Sequence, residues 1–415
     1  MTSRERLINA LNHIEPDRPP IDLGATTVTG ISAVALDNLR HKLGLPEKKV
    51  QIHEPFQILG NVTDDVRQAL GVDAVGIFLK STFFGYKNDS FKGWQFQNKE
   101  FEIGSGFTTT IDENGDTLVY PQGDLTAKPS GRLPKDGYYF DGILRQEPVD
   151  EDNLNAKEDF KNDFSLLTDK DLRDIENQAN DIYKNTDYGS VLAWGGAGLG
   201  DVAKLPGTSL TFTPGVRDIE EWYMYHLLYP EYIEDIFDYQ IEISIKNLQM
   251  IKEAVGNKPQ AIFVSGTDFG TQIDTIISTD LFRKIYKPRY MKINDWIHKN
   301  TTWKTFFHSC GAISNIIPDF IEMGVDILNP VQCSAKGMGP KHLKEAFGDK
   351  ITFWGGASDT QKTLPFGTPE EVIKETRERN EIFKKGGGYV FNPIHNIQAP
   401  TSPENIIALY NTVKG

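Results

Sequence analysis

His308 and Cys310 are two potential metal ligands that lie one residue apart, directly after an apolar segment with β character. Imidazole nitrogen and thiolate sulfur both suit zinc, and strand ends are where a (β/α)₈ barrel carries its chemistry. The pair alone is a weak signal, because a buried cysteine usually serves as a small apolar residue and a histidine at a strand end is often structural. A metal site therefore needs further ligands.

Two further ligand candidates, Cys333 and His395, each follow another segment with strand character. The chain contains two cysteines and eight histidines, yet both cysteines and two of the histidines fall at predicted strand ends within one contiguous stretch. We therefore predict a zinc site made of His308 and Cys310 and completed by Cys333, His395 or both. Three protein ligands would leave one coordination position open to a substrate.

Further polar side chains follow predicted strands and would surround the same site. Asp268 is predicted as an acid/base or as a substrate anchor, and His395 is the second catalytic candidate. The predicted substrate-binding residues, which are given in the next sentence, could each instead cap a helix or hold a loop in place. The predicted substrate-binding residues are Asp22, Gln272, Gln332, Asp359, Gln361 and Gln398.

The composition restricts the classes of partner. The chain of 415 residues has a formal net charge of −14, which disfavours binding to nucleic acid or to an anionic membrane. A small molecule or another protein is the expected partner. Two cysteines cannot form a disulfide framework, which fits a reducing cytoplasm, and no apolar run approaches the roughly 20 residues of a membrane span. We therefore expect a cytoplasmic protein.

Strand and helix patterns alternate along the chain and predict eight strands, each but the last followed by a crossover. This pattern predicts one (β/α)₈ TIM-barrel domain over residues 1–415, with the site at the carboxyl ends of the strands. A doubly wound sheet is the alternative, but no phosphate-binding glycine fingerprint follows the first predicted strand. The glycine-rich residues 195–200 lack the ending of a phosphate loop and are predicted as a close-packed turn.

Residues 83–150 interrupt the alternation with many aromatic, Gly, Asp and Thr residues. Within them, residues 107–111 and 116–120 are two strand-like runs joined by an Asp-Glu-Asn-Gly turn, which indicates a β-hairpin. We predict a β-rich insertion after the second strand that roofs the mouth of the barrel. The alternative is that this insertion forms a subunit interface.

Five segments carry a resemblance to a known family. Residues 2–13, 15–22, 308–311, 323–332 and 387–391 resemble the uroporphyrinogen decarboxylase (URO-D) superfamily. The resemblance implies a barrel fold, a tendency to form homodimers and one of two chemistries. These are decarboxylation of porphyrinogen acetates without a cofactor and zinc-dependent methyl transfer between small substrates, thiols and corrinoid proteins. Fold membership alone does not choose between them.

The residues that the decarboxylase reaction would need are absent from the expected positions of this chain. The resemblance implies arginines after the first strand, which hold the carboxylates of the porphyrinogen, and an aspartate after the second strand. Residues 21–29 contain no arginine, and residues 78–80 are Phe, Leu and Lys. A substrate with eight carboxylates needs basic partners, so decarboxylation of a tetrapyrrole is the minor alternative here.

The methyltransferase chemistry fits the same chain better. Zinc members carry a His-x-Cys pair after one strand, which His308 and Cys310 match, and a further cysteine after the last strand, where this chain has His395. We therefore predict a zinc-dependent methyltransferase that acts on a small methylated substrate together with a corrinoid protein or a thiol. The alternatives are a lyase acting on a tetrapyrrole and a barrel that binds a corrinoid or tetrapyrrole without catalysis.

Overall fold

A curled sheet of seven parallel strands forms the centre of the molecule. The computed structural model describes residues 1–414. Neighbouring strands in the sheet also follow one another along the chain, and every neighbouring pair is parallel. This order requires a crossover between strands, which is the arrangement of a TIM-like barrel. Across the sheet the strands are Tyr389–Val390, Thr352–Trp354, Ile327–Asn329, Lys304–His308, Ala261–Ser265, Gly189–Ala193 and Ala74–Phe78.

The first of the eight predicted strands is reduced to a two-residue segment that contacts both edges of this sheet. Ile21 forms a parallel bridge with Phe391, and Asp22 forms one with Ala74. The Asp22 amide donates to the Phe391 carbonyl at 2.9 Å, and the Ala74 amide donates to the Ile21 carbonyl at 3.2 Å. Seven of the predicted strands are therefore present as strands, whereas the first is represented only by these two bridges.

Helices supply the crossovers, and each connection between consecutive strands of the central sheet contains at least one. Several helices begin at a threonine whose hydroxyl accepts a backbone hydrogen bond from the third helical residue, as at Thr2, Thr168 and Thr368. No helix within residues 1–414 is both long enough and apolar enough to cross a bilayer. The helices are Ser3–Leu11, Ala33–Lys42, Asp64–Leu70, Ala156–Asp159, Asp169–Asn185, Ile219–Leu228, Pro230–Val255, Thr279–Leu281, Lys287–Asn300, Ile317–Glu322, Pro340–Phe347, Thr363–Phe366, Pro369–Phe383 and Pro403–Lys414, with a π-helical turn at Phe282–Tyr286.

Alternation along the strands divides the core into two layers. Phe306 packs with the small cluster on the inner side of the sheet, whose other large members include Phe263 and Trp354. The next residue, Phe307, belongs to the outer cluster and contacts Tyr290 edge-to-face, with ring centroids 4.9 Å apart. The next residue on the inner side is therefore His308, at the end of the strand.

The β-rich region between the first two strands of the central sheet contains the predicted hairpin. Thr109–Ile111 pairs antiparallel with Thr117–Val119, and this pair continues into Gly131–Leu133 and Asp141–Gly142. A second four-stranded sheet is not confined to residues 83–150, because Lys99–Gly104 pairs there with an earlier strand of the chain. Its strands, in order, are Leu59–Gly60, Gln51–Glu54, Lys99–Gly104 and Phe91–Phe96.

Asp22, one of the predicted substrate-binding residues, is completely buried within the fold. One carboxylate oxygen accepts from the Ala25 amide at 2.9 Å, and the other accepts from the indole nitrogen of Trp354 at 2.8 Å. Burial raises the pKa of Asp22 to about 7, although both hydrogen bonds favour the charged form. This aspartate therefore ties residues 21–25 to the inner core.

We expect Asp22→Asn to change the pH dependence of stability. A group whose folded-state pKa is raised contributes stability that is present below its unfolded pKa near 4 and lost as the pH rises through about 7. Between pH values well below 4 and well above 7, the contribution of Asp22 to the free energy of unfolding should fall by on the order of 4 kcal/mol. Urea unfolding between pH 4 and 8 should show wild type losing stability relative to the variant, and parallel profiles would contradict this role of Asp22.

Candidate metal centre

His308 is held in one orientation by its neighbour strand. Its Nδ1 lies 2.6 Å from the amide oxygen of Asn329, whose amide nitrogen donates to the Trp354 carbonyl at 2.8 Å. Because the amide nitrogen of Asn329 is engaged with a carbonyl, its oxygen faces His308 and can only accept a hydrogen bond. The imidazole therefore carries its proton on Nδ1 and presents the free lone pair of Nε2, as a metal ligand does.

Potential ligand atoms of Cys310 and His395 lie close to that nitrogen. The Sγ of Cys310 lies 3.4 Å from His308 Nε2, and the ring of His395 stands 5.2 Å from the His308 ring between centroids. Ligand atoms of all three residues lie within 4.8 Å of one another, and this is the sole such group of three or more within residues 1–414. A tetrahedral zinc with bonds of about 2.0 Å to nitrogen and 2.3 Å to sulfur sets its ligands roughly 3.5 Å apart, so the group fits zinc after small movements.

Both histidines are in the protonation state that a metal requires. Burial lowers the pKa of His308 to about 4. Burial also lowers the pKa of His395 to about 3, and the nearby His308 ring adds to this shift. Each imidazole is therefore neutral near pH 7 and has a nitrogen lone pair available.

Asp268, the predicted acid/base, lies directly against this group. One of its carboxylate oxygens accepts from the Cys310 amide at 2.6 Å and lies 3.8 Å from His308 Nε2. Burial raises the pKa of Asp268, and burial together with the Asp268 charge raises the pKa of the Cys310 thiol well above its ordinary value. A metal cation here would replace the thiol proton, since thiolate is the binding form.

Gln332 and Gln272, both predicted to bind substrate, position the loop that carries Cys310. The side-chain oxygen of Gln332 accepts from the Gly311 amide at 2.8 Å, and its nitrogen donates to the Gln272 side chain at 3.1 Å. Gln332 is buried, whereas Gln272 is exposed. These two side chains thus lie beside the candidate ligands and hold the backbone next to one of them.

Comparison with known proteins identifies the family of this chain and a similar fold. The family model described as uroporphyrinogen decarboxylase (URO-D) matches residues 208–415, which is half of the chain. The chain belongs to the URO-D family. A solved structure of a methyltransferase from Methanosarcina mazei is similar over 99% of this chain and 98% of that chain, with a TM-score of 0.56 and 17% identity. At that identity the likeness supports the fold alone, and the curated proteins searched include no match.

Cys333 is not part of the ligand group of this URO-D family member, so of the predicted ways of completing the site the group matches the one that uses His395 alone. Its strand ends at Asn329, and the chain has turned by residue 333, where Sγ lies 3.9 Å from the Gly356 carbonyl. Burial raises the pKa of Cys333 to about 11. The structure thus leaves His395 as the third ligand candidate.

Three other predicted substrate-binding residues lie apart from the metal-ligand group. Asp359 accepts from the Gln361 amide at 2.8 Å, and its own amide donates to Glu375 at 3.0 Å, so it stabilises a turn. Gln361 is exposed. The Gln398 side chain donates to the Asn396 carbonyl at 3.2 Å. The structure gives none of these three a contact with the metal-ligand group.

Asp201 and Tyr223 feel the charge of Asp268, and neither was singled out in the sequence. Asp201 lies close enough to Asp268 for that charge to raise its pKa, which burial already lifts, to about 6. Burial and the charges of Asp268 and Asp201 raise the pKa of Tyr223 to about 12. Asp201 follows the glycine-rich residues 195–200 after the Gly189–Ala193 strand. That position after a strand was the available signal.

Proposed function

We propose that this URO-D family member is a zinc-dependent methyltransferase that moves a methyl group between a small methylated substrate and a corrinoid protein or a thiol. The observation that carries the proposal is the convergence of His308, Cys310 and His395 ligand atoms within 4.8 Å. Three ligands of this kind with an open fourth position are typical of catalytic zinc. The methyltransferase with a similar fold adds support at the level of architecture.

Each residue of the group would have a defined task. His308, Cys310 and His395 would hold zinc, and Asn329 would keep His308 in the tautomer that exposes Nε2. Bound zinc supplies a Lewis acid that lowers the pKa of a thiol or polarises the group that the methyl leaves. Asp268 would hold the Cys310 backbone with one oxygen and act as acid/base or substrate anchor with the other.

Backbone contacts support two further proposals about the barrel and its mouth. We take Ile21 and Asp22 to be the first strand of a (β/α)₈ barrel, because they bridge both edge strands. The β-rich residues 83–150 would roof its mouth, and their contact with the mouth loop supports this, since Thr208 donates to the Phe83 carbonyl at 2.7 Å. A cytoplasmic location and a homodimer remain predictions.

A corrinoid partner would need a surface beside the site. The helix Ile219–Leu228 carries Tyr223, whose pKa the charge of Asp268 helps to raise, and on the same helix Met224, Leu227 and Leu228 are largely exposed. Exposed apolar residues grouped in this way are typical of protein contacts. We propose that a corrinoid protein docks here, since a corrinoid is too large to enter a closed pocket.

Free methylcob(III)alamin tests the proposed reaction without the partner protein. Under anaerobic conditions, we expect the zinc-loaded protein to accelerate methyl transfer to thiols such as 2-mercaptoethanol, seen as conversion to the cob(I)alamin spectrum. Cys310→Ser should reduce the rate to that without protein, whereas Cys333→Ser should leave it unchanged. A rate that does not depend on zinc or on Cys310 would contradict the proposal, as would the absence of any acceleration.

We expect no decarboxylation of uroporphyrinogen. Residues 21–29 offer no arginine to its carboxylates, and Asp22 is engaged with Trp354 rather than open to a substrate. The assay is anaerobic incubation with enzymatically generated substrate, followed by chromatography of the oxidised porphyrins. Coproporphyrin accumulating over many turnovers would restore the lyase alternative, and corrinoid or tetrapyrrole binding without any turnover would favour the non-catalytic one.

A further inference from the structure

The backbone on either side of His395 is fixed by hydrogen bonds to neighbouring loops. The Ile394 amide donates to the Ser358 carbonyl at 3.0 Å, and the Ile397 amide donates to the Gly30 carbonyl at 3.0 Å. A histidine side chain is short and occupies a few staggered rotamers, so the position of its ring depends closely on its backbone. The residues beside His395 therefore decide whether its ring reaches the metal-ligand group.

Asn396, the residue after His395, joins its own loop to two other segments of the chain. Its Oδ1 accepts from the Gly30 amide at 2.6 Å, and its Nδ2 donates to the Thr27 carbonyl at 3.0 Å. The same Nδ2 donates to the side-chain oxygen of Gln57 at 2.8 Å. Asn396 is completely buried, and a buried amide that loses a partner bears the cost of an unsatisfied group. These three hydrogen bonds therefore hold the loop that carries His395.

Gln57 lies in the turn that follows the strand Gln51–Glu54 of the second four-stranded sheet. Glu54 shapes that turn, because one of its carboxylate oxygens accepts from the Phe56 amide at 2.9 Å and the other accepts from the Gln57 amide at 2.8 Å. The Phe56 carbonyl accepts from the Phe140 amide at 2.8 Å, so the turn is also held by the β-rich residues above the barrel. The sheet thus presents the Gln57 side chain in a fixed position to the loop of the last strand.

We propose that Asn396 is a positioning residue for the metal ligand His395, and that Gln57 makes the second four-stranded sheet part of the support of the metal centre. This inference rests on the proposed function, since it assigns how the third ligand of the same metal is held. Partners of a ligand raise metal affinity because they keep the ligand in its binding geometry. Asn396 acts through the backbone it shares with His395, whereas Asn329 contacts the His308 ring directly.

Two substitutions of Gln57 in the full-length protein isolate the hydrogen bond from the rest of the side chain. Gln57→Leu removes the oxygen that accepts from Asn396 and should weaken zinc binding by about tenfold. Gln57→Glu keeps an accepting oxygen and should retain the zinc affinity of wild type. Gln57 is half-buried, so both variants should fold. Gln51→Leu, which removes a hydrogen bond to Glu102 in the same sheet, is the matched control and should bind zinc as wild type does.

Zinc affinity is measured by competition with a chromophoric chelator, and the spectrum of the Co²⁺-substituted protein reports the ligands directly. The ligand-field bands of Gln57→Leu should shift towards those of His395→Ala, and those of Gln57→Glu should match wild type. Asn396→Ala, which removes all three hydrogen bonds, should weaken zinc binding at least as much as Gln57→Leu. In the His395→Ala background, Gln57→Leu should cause no further loss of zinc affinity, because the ligand on which it acts is already absent.

The outcomes separate this inference from the proposed function. A loss of zinc affinity in Gln57→Leu that depends on His395 supports the inference whether or not methyl transfer is found. Unchanged zinc affinity in Gln57→Leu or in Asn396→Ala would overturn it, even when zinc binding and methyl transfer by wild type are intact. An equal loss in Gln57→Glu, in Gln51→Leu or in the His395→Ala background would also overturn it. Absence of zinc from wild type would remove the proposed function and this inference together.

Discussion

The double variant His308→Ala, Cys310→Ser should contain no zinc, whereas wild type should contain about one zinc per chain. The two residues supply two of the three converging ligand atoms, and His395 alone cannot hold the ion. Elemental analysis of protein desalted after loading with zinc measures the difference. Circular dichroism confirms that the variant is folded.

Cys333→Ser is the matched control, because it removes the other cysteine and leaves the ligand group intact. It should retain the zinc content of wild type, and His395→Ala should lower it. Full occupancy in the double variant, or none in carefully prepared wild type, would remove the basis of the proposed function. Zinc loss in the Cys333 variant would instead restore that cysteine as a ligand.

Arg217→Ala should destabilise the protein by about 3–5 kcal/mol. The guanidinium is completely buried, forms two hydrogen bonds with Asp163 at 2.6 and 3.0 Å, and stacks over Phe160 at 4.4 Å from the ring centroid. It also donates to the Pro214 carbonyl at 2.8 Å. Truncation of Arg217 would leave the charge of Asp163 and the Pro214 carbonyl without their partner. Urea unfolding gives the change in the free energy of unfolding.

Arg132→Ala provides the comparison, since Arg132 also pairs with an aspartate but has half of its side chain exposed. Its loss should cost less than about 1 kcal/mol, because solvent screens the exposed guanidinium of Arg132. Similar losses in the two variants would show that burial of Arg217 does not determine its contribution. A large loss of unfolding free energy in Arg217→Ala, without a similar loss in Arg132→Ala, would show that Arg217 holds residues 159–163 against the loop at Leu205.

Much of the fold could be predicted because its strands are short apolar runs followed by polar residues. The strand Ala261–Ser265 ends three residues before Asp268, and Lys304–His308 ends two residues before Cys310, so each is the apolar run that precedes a predicted site residue. The first strand could not be delimited, because Ile21 and Asp22 owe their extended pairing to edge strands distant in the chain. The β-rich region could be located, but its pairing with the earlier strand Gln51–Glu54 is a tertiary contact without a local pattern.

The candidate site could be predicted in part for a similar reason. His308 and Cys310 were identifiable because His308 ends a strand and Cys310 lies two residues beyond it, so both side chains stand at a known point of the strand end. Cys333 lies four residues beyond Asn329, where the strand ends, and a turn of that length sends a side chain in a direction that spacing does not define. Asp201 stands eight residues beyond Ala193, so its position depends on the packing of glycines that carry no hydrophobic signal.

The bridges made by Ile21 and Asp22 have a consequence for the order of events during synthesis. Ile21 pairs with Phe391, which the ribosome adds 370 residues later. Contacts of such large sequence separation form slowly, because the loop entropy is lost before the contact is gained. Ile21 and Asp22 can therefore complete their contacts with Phe391 and Trp354 only after nearly the whole chain has been synthesised, and Asp22 stays in contact with water until then. During that interval the sheet cannot close through the bridge between Ile21 and Phe391, and open strand edges favour pairing with other chains.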